Sequence, residues 1–473
     1  MQRFNTRAIL LLICLVPLLL VSCGKNSQEG KLIITRIKTI PGKANFINGE
    51  NWRFTEEAQI IAVSNDGSKA APVVLTEGFY SACSPDISYD GNSMLFAGQV
   101  KKGDPWRIWQ MDLKNLKSSA VSPEGGNCAD PVYLPAGRFT FSRITDNDSL
   151  KAGFSIFTCN LDGSNLRRVT FNPATYFASN VLADGRILTA ARTVYPDTGK
   201  QLLMVLRPDG TKNELFYNTP EGADIYSRCR ETSDGKVIFI ESATGNSEGG
   251  RPVSIDYSRP LHTKTLMAKE GDFLEVCQVK SGKYLASYRK SSSDLFSIVE
   301  LDPQTGLTGN VVAEDKEWNL IDVNEDIVHT RPRKLPSEVD MKVKTGLLMC
   351  QDINFEVGSI NDNEGKGPKV TRIELLGIDK SLGIVNAEED GSFYLKPIAD
   401  TPFRIRKLDK DGKVVGETCS WIYLRPNERR GCVGCHEDPE ITPVNRIPLS
   451  VKKKPVIVPV HIDKVKEKKV DLE

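Results

Sequence analysis

Short apolar runs recur along the chain, each introduced by a polar turn that usually carries glycine. Asp90-Gly91 precedes Ser93 to Ala97, and Ala136-Gly137 precedes Phe139 to Ser142. Asp184-Gly185 precedes Ile187 to Ala190, Asp234-Gly235 precedes Val237 to Ile240, and Ser281-Gly282 precedes Tyr284 to Ser287. A degraded sixth copy is Asn324-Glu325 before Ile327 to His329. The marker glycines at 91, 137, 185, 235 and 282 are 46, 48, 50 and 47 residues apart. A period in the forties with several strands per unit predicts β-propeller blades.

Further strands follow each copy, as at Arg107 to Met111, Ser155 to Cys159 and Leu202 to Leu206. Turn chemistry at Asp162-Gly163 and Pro208-Asp209-Gly210 folds them into outer hairpins. The sixth copy lacks such a pair. A spare one stands at the N-terminal side, Ile60 to Val63 and Pro72 to Leu75, joined through Asn65-Asp66-Gly67. That pair is expected to complete the last of six blades, which closes the ring and removes exposed sheet edges. Seven residues before three marker glycines stand Asp130, Arg228 and Glu275, with Cys83, Cys128 and Cys229 within two positions of the same layer. These charges and thiols are expected to ring the propeller mouth.

After Pro332 and Pro336 the period stops. Strand patterns at Gly346 to Cys350, Val370 to Leu376, Ser392 to Leu395 and Phe403 to Leu408 predict a small β-sandwich. The fold class is therefore all-β: a six-bladed β-propeller, a small β-sandwich-like domain and a short C-terminal segment. The expected boundaries are 51–335 for the propeller, 336–424 for the middle domain, 425–445 for the segment and 446–473 for a Lys-rich tail. That tail reads as a solvated end; the alternatives are a strand packing along the propeller near Val456 to Val460 and a contact with a partner.

The N-terminus changes the compartment. Arg3 and Arg7 precede an apolar run, Ala8 to Val21, which ends in Leu20-Val21-Ser22-Cys23. The run is too short for a spanning helix and has the form of a signal peptide over 1–22. Its end resembles the lipobox of bacterial lipoproteins, which implies lipid on Cys23, a 23–50 linker from the anchor, and the periplasmic face of a membrane. Gly24 after the cysteine resembles the outer-membrane sorting class. Loss of the two arginines turns the formal charge of +1 into −1, and a near-neutral chain is not a nucleic-acid binder.

Chemistry concentrates in Cys432-Val433-Gly434-Cys435-His436, a C-x-x-C-H signature. Two thiols at that spacing reach two vinyl groups of a porphyrin, and the adjacent imidazole is carried beneath the ring. Haem c held by Cys432 and Cys435, with His436 on iron, is the expected cofactor. A sixth ligand would come from His262, His329, His461, Met341 or Met349. Arg429 and Arg430 stand where they can pair with propionates. Of the 11 cysteines, seven remain once Cys14, Cys23, Cys432 and Cys435 are set aside, an odd number in an oxidising compartment. No serine triad, phosphate loop or paired-carboxylate motif appears.

Two resemblances follow. Ser84-Pro85-Asp86-Ile87-Ser88-Tyr89-Asp90-Gly91 resembles the Tol-type periplasmic propeller repeat. Gly391-Ser392-Phe393, Ala399 to Phe403, Ser420-Trp421-Ile422, Arg425-Pro426 and Glu428 to Glu437 resemble the middle domain of the hydrazine synthase alpha subunit family. That resemblance implies a six-bladed propeller before a β-rich domain carrying a c-type haem. In that family a Tyr four residues beyond the motif His binds iron, and the His binds zinc with a Cys and an Asp of the propeller. Here the fourth position is Glu440, so His436 takes the axial iron role. For a zinc bridge, Cys229 is the thiol to test, with Asp86 or Asp130 as carboxylate. The expected function is a lipid-anchored haem protein for electron transfer or small-molecule redox chemistry, a haem oxidoreductase if an enzyme, with a redox partner protein. The alternatives are a non-enzymatic Tol-like propeller scaffold for protein interaction and a hydrazine-synthase-like enzyme.

Overall fold

The structure, a computed structural model, describes residues 30–40, 54–65, 70–147, 150–244, 248–355, 368–434, 440 and 445–460. Six antiparallel sheets succeed one another along the chain. Blade one comprises Ser81–Ile87, Ser93–Gln99, Arg107–Asp112 and Ser118–Ala120; blades two to five repeat that order. The inner strand of blade four is split into Ala223–Ile225 and Arg230–Glu231. The expected strand after each marker turn is the second strand of its blade. All five marker glycines have φ between +65° and +92°, a conformation that costs glycine little.

Blade six closes the ring differently from expectation. Its inner strand is Asn319–Glu325, and its three other strands are Leu32–Ile37, Gln59–Val63 and Val73–Val74. Leu32–Ile37, assigned to the anchor linker on sequence, pairs antiparallel with both Asn319–Glu325 and Gln59–Val63. It reads as a near-continuous apolar run because both faces are buried. Leu32 and Ile34 pack into the core shared with blade five, and Ile33 into the one shared with blade one. With that edge of Asn319–Glu325 already paired, the sixth copy at Ile327 to His329 leaves the sheet and forms no strand.

One device recurs between neighbouring blades. A side-chain acceptor from one blade receives a backbone N–H from an adjacent blade, the following one in three cases and the preceding one in three. Asp322 Oδ2 accepts from Ser84, Asp86 Oδ2 from Tyr133 and Asp130 Oδ2 from Ala178, at 3.2, 2.8 and 2.7 Å. Glu231 accepts from Ala183, Gln278 from Ser233 and Glu325 from Lys280. Six contacts thus tie the ring at six joints. Ser84, Asp130, Ala178 and Asp322 all have positive φ, and the inner strands of blades one to three shift register there. Such bulges turn backbone N–H groups out of the ladder, and the neighbouring carboxylates satisfy them.

The middle domain is the expected sandwich. One sheet orders Arg429–Cys432, Leu347–Cys350, Phe393–Pro397 and Val456–Val458; the other orders Ser381–Asn386, Arg372–Leu376 and Arg404–Leu408. Leu348, Phe393 and Leu395 of the first face Ile373, Leu375 and Ile405 of the second in one core. The strand of the tail, Val456–Val458, pairs in parallel with Phe393–Pro397 rather than along the propeller. The domain docks on the rim of blade three. Tyr423, fully buried, donates its hydroxyl to the carbonyls of Val169 and Gly210 at 2.9 and 3.1 Å. Trp421 Nε1 donates to Tyr195 O at 2.8 Å.

Candidate functional site

Of the C-x-x-C-H signature, Cys432, Val433 and Gly434 are described; Cys435 and His436 lie outside the described residues, as do Cys23 and His461. Cys432 ends the edge strand Arg429–Cys432, which runs parallel to Leu347–Cys350 with Leu347↔Arg429, Leu348↔Arg430, Met349↔Gly431 and Cys350↔Cys432 as partners. The register continues beyond the strand. Gln351 N donates to Cys432 O at 2.8 Å, and Asp352 N to Val433 O at 3.0 Å. Gly434 is buried, and a Cβ there would stand 2.9 Å from Phe355 Cδ1 while overlapping the Phe355 carbonyl oxygen.

The segment after the motif is anchored twice. Glu440 Oε1 accepts from Leu261 N at 2.8 Å, and its Oε2 lies 3.3 Å from Arg259 Nε and 3.9 Å from His262 Nε2. Arg446 Nη2 donates to the carbonyls of Gln351 and Asp390 at 2.9 Å and lies 3.2 Å from Asp352 Oδ2. One anchor is on blade four, the other on the middle domain.

Before the motif stands a buried charge cluster. Glu428, 1 % exposed, accepts from Arg430 Nη2 at 2.7 Å, from Lys212 N at 2.9 Å and from Arg425 N at 2.7 Å. Burial lowers the Arg430 pKa, but the Glu428 carboxylate overrides it and the net shift is upward. Arg430 is therefore held at the domain interface rather than presented to a propionate, whereas the Arg429 side chain is exposed. Sequence reasoning quoted Glu428 only as part of a motif. Its signal is an acidic residue two positions from an arginine, which is too common to single it out.

The thiol and carboxylates considered for zinc are described; the imidazole of that set, His436, lies outside the described residues. Cys229 is 2 % exposed and packs among Phe177, Leu203 and Phe239 between blades three and four, where burial raises its pKa. Asp130 is engaged by Ala178 N and by Ser84 Oγ at 3.4 Å. Asp86 faces Arg228 Nη1 at 3.7 Å; burial raises its pKa and Arg228 partly offsets this. Among the described residues no three His, Cys, Asp or Glu side chains are grouped as metal ligands. The expected ring of charges exists, but as a plug. Arg228 reaches Pro85 O and Pro131 O, and Arg230 bridges Glu275 at 2.7 Å and Asn324 at 3.0 Å. The thiols of that layer point instead into the cores between blades. Above the plug a cavity of about 1020 Å³ opens, lined by Asp86, Tyr133, Glu231, Lys280 and His329.

The surroundings of Cys432 do fit covalent haem attachment at the first thiol. It is half-buried, on an edge strand, with its backbone held in register and a glycine two residues on. Of the sixth-ligand residues, His262 is half exposed beside Glu440, and His329 packs its ring against Tyr89. Met341 is exposed, and Met349 pairs with Gly431.

A family model of the hydrazine synthase alpha subunit middle domain matches residues 348–437, from the sandwich core through the motif. The hydrazine synthase alpha subunit of Kuenenia stuttgartiensis is 21 % identical over 77 % of this chain and 61 % of its own length. The chain is thus similar to the hydrazine synthase alpha subunit. It spans about six tenths of that relative. The solved hydrazine synthase of Kuenenia stuttgartiensis superposes with a TM-score of 0.78 at 17 % identity, over 90 % of this chain and 71 % of that one. The same fold therefore holds propeller and middle domain in both. TolB of Acinetobacter baumannii gives a TM-score of 0.46 at 12 % identity, too low to bear on the Tol-type resemblance of the repeats.

Proposed function

We propose that this alpha-subunit-like chain is a c-type haem protein, anchored by lipid at Cys23 on the periplasmic face of a membrane, the outer membrane by its sorting residue. Cys432 and Cys435 hold haem through thioethers, and His436 binds its iron. The observation that carries the reading is the register-locked, half-buried Cys432 at the end of an edge strand, inside the span matched to the alpha subunit middle domain. Bound haem supplies a redox-active iron. The chain's own residues position it. The parallel register fixes Cys432, Gly434 lets the backbone pass Phe355, and Glu440 and Arg446 fasten the following segment to blade four and to the middle domain. The function is electron transfer with a redox partner protein, or redox chemistry on a small molecule. Zinc is assigned no step.

An enzymatic reading, a haem oxidoreductase of the hydrazine-forming kind, rests on the likeness to the Kuenenia stuttgartiensis subunit. Glu440 weighs against it: where the resemblance implies an iron-binding Tyr, this chain has a carboxylate engaged by Leu261 N and Arg259. The mature chain, made with a haem-maturation system, should give a pyridine haemochrome spectrum of covalent haem c. Absence of covalent haem overturns the reading and leaves a propeller scaffold. A ferrous–CO spectrum then separates an open, reactive centre from plain electron transfer. His436→Met should change the ferric spectrum.

A further inference from the structure

The joints that close the propeller leave its channel acidic. Five of their six acceptors are carboxylates, Asp86, Asp130, Glu231, Asp322 and Glu325, and the sixth is Gln278. Glu275, on the inner strand of blade five, adds another. Against them stand Arg228 and Arg230, which face Asp86 and Glu275, and Lys280 at the exposed rim. With His329 neutral, these groups carry three more negative than positive formal charges. Burial pushes the carboxyls of Asp86, Glu231 and Glu275 up, as it does where a buried carboxylate is short of counter-charge. A cleft lined by one sign of charge, with low-dielectric walls, focuses the field and concentrates counter-ions.

The cavity above the plug, about 1020 Å³, has room for a whole small molecule. Its carboxylates come from separate blades: Asp86 from blade one, Glu231 from blade four and Glu325 from blade six. Blades one and four stand opposite each other in a ring of six. Apolar side chains line the space between, namely Ile87, Val132, Val181, Val279 and Val323. Beside Asp86 stands an aromatic wall. The Tyr89 hydroxyl donates to Tyr133 O at 2.6 Å, and the Tyr89 ring centroid lies 6.3 Å from that of Tyr133 and 5.3 Å from that of His329. Aromatic faces attract cations within about 6 Å. Arg331, outside the lining, already lies 6.0 Å from the Tyr89 centroid.

A hard metal ion needs about six or more oxygen ligands for Ca²⁺, or near-ideal octahedral geometry for Mg²⁺. Among the described residues no three His, Cys, Asp or Glu side chains are grouped as metal ligands, and each joint carboxylate already receives a backbone N–H. Separated carboxylates joined by an apolar wall match separated ammonium groups joined by methylenes.

We propose that the propeller mouth binds an aliphatic polyamine. Its ammonium groups are taken by Asp86, Glu231 and Glu325, and its methylenes lie on the valine and isoleucine wall. The site goes beyond the haem reading and does not depend on it.

Isothermal titration of spermidine into the mature chain, at about 0.15 M salt, should give saturable binding of one molecule per chain, with or without haem. Glu231→Gln with Glu325→Gln removes two charges and keeps both acceptors; Gln278 shows that glutamine serves at such a joint. This double variant should bind about tenfold more weakly or worse. Lys280→Met removes a positive charge from the lining and should bind more tightly. Glu300→Gln, on the third strand of blade five, should bind as the native chain does. Spermidine with both primary amines acetylated should bind far more weakly, and equimolar magnesium should not displace spermidine. Heat without saturation, equal binding by the double variant, weaker binding by Lys280→Met, or displacement by magnesium each overturns the proposal. Should the double variant fail to fold by thermal unfolding, Lys280→Met and the acetylated amine decide.

Discussion

Arg430 donates two hydrogen bonds to one carboxylate oxygen of Glu428, at 2.7 Å from Nη2 and 3.1 Å from Nε. Both side chains are nearly removed from solvent, and the same carboxylate receives N–H groups of Lys212 on the propeller and Arg425 on the middle domain. The strand that carries the first motif cysteine therefore starts from the joint between the two domains.

Glu428→Ala leaves a buried guanidinium and two backbone donors without their acceptor. Removing one partner of a buried pair costs about 3–5 kcal/mol. Urea denaturation should show that loss, with Glu428→Gln falling between the variant and the native chain. A change below about 0.5 kcal/mol would mean the pair is solvated in solution.

Gly434→Ala places a methyl group against the carbonyl and ring of Phe355. Overpacking of this kind costs about 1–3 kcal/mol, and here the backbone of the motif itself must move. Covalent haem per chain, measured by haemochrome absorbance against protein mass, should fall. Undiminished loading would show that the motif tolerates the shift.

Arg230→Met tests the channel plug through pH. Burial holds the Glu275 carboxyl above its ordinary range, and Arg230 pulls it back down. Without Arg230 the carboxyl rises further. A carboxyl whose folded pKa exceeds its unfolded value contributes stability below the unfolded value and loses it as pH rises through the folded one. The variant should be weaker by about 3–5 kcal/mol at neutral pH and should recover toward the native chain as pH falls to 4.5, the ordinary Glu value. Thermal unfolding across that range reads the slope; a flat difference would contradict it.

A chain begun at Lys38 loses the second strand of blade six. Leu32, Ile33, Ile34 and Ile37 are all fully buried. At about 1.5–3 kcal/mol each their loss rivals the whole stability of a domain, about 5–15 kcal/mol. It also bares the edges of Asn319–Glu325 and Gln59–Val63. Size-exclusion chromatography should show aggregates; a monomer with native unfolding would exclude this closure.

Most of the fold was legible because it is local. A turn glycine at positive φ and a short apolar strand need only near neighbours, and their period counted the blades correctly. The C-x-x-C-H spacing was legible for the same reason, since it lies within five consecutive residues. The mouth layer was half legible: Asp130, Arg228 and Glu275 do line the channel, but whether such charges bind a ligand or one another depends on which blade stands opposite. Cys229 sits one residue from that layer, in the break of blade four's inner strand, and packs into the core between blades three and four.

The sequence by itself determined the blade period, the order of domains and the position of the motif cysteines, all encoded within a few dozen residues. Only the tertiary structure decided that Leu32–Ile37 closes the ring, that Glu428 joins the domains, and that Cys350 lies beside Cys432. Each joins residues far apart in the chain, 82 positions for the two cysteines, and strand register between distant segments follows from which faces are buried together, a property of the assembled sheets.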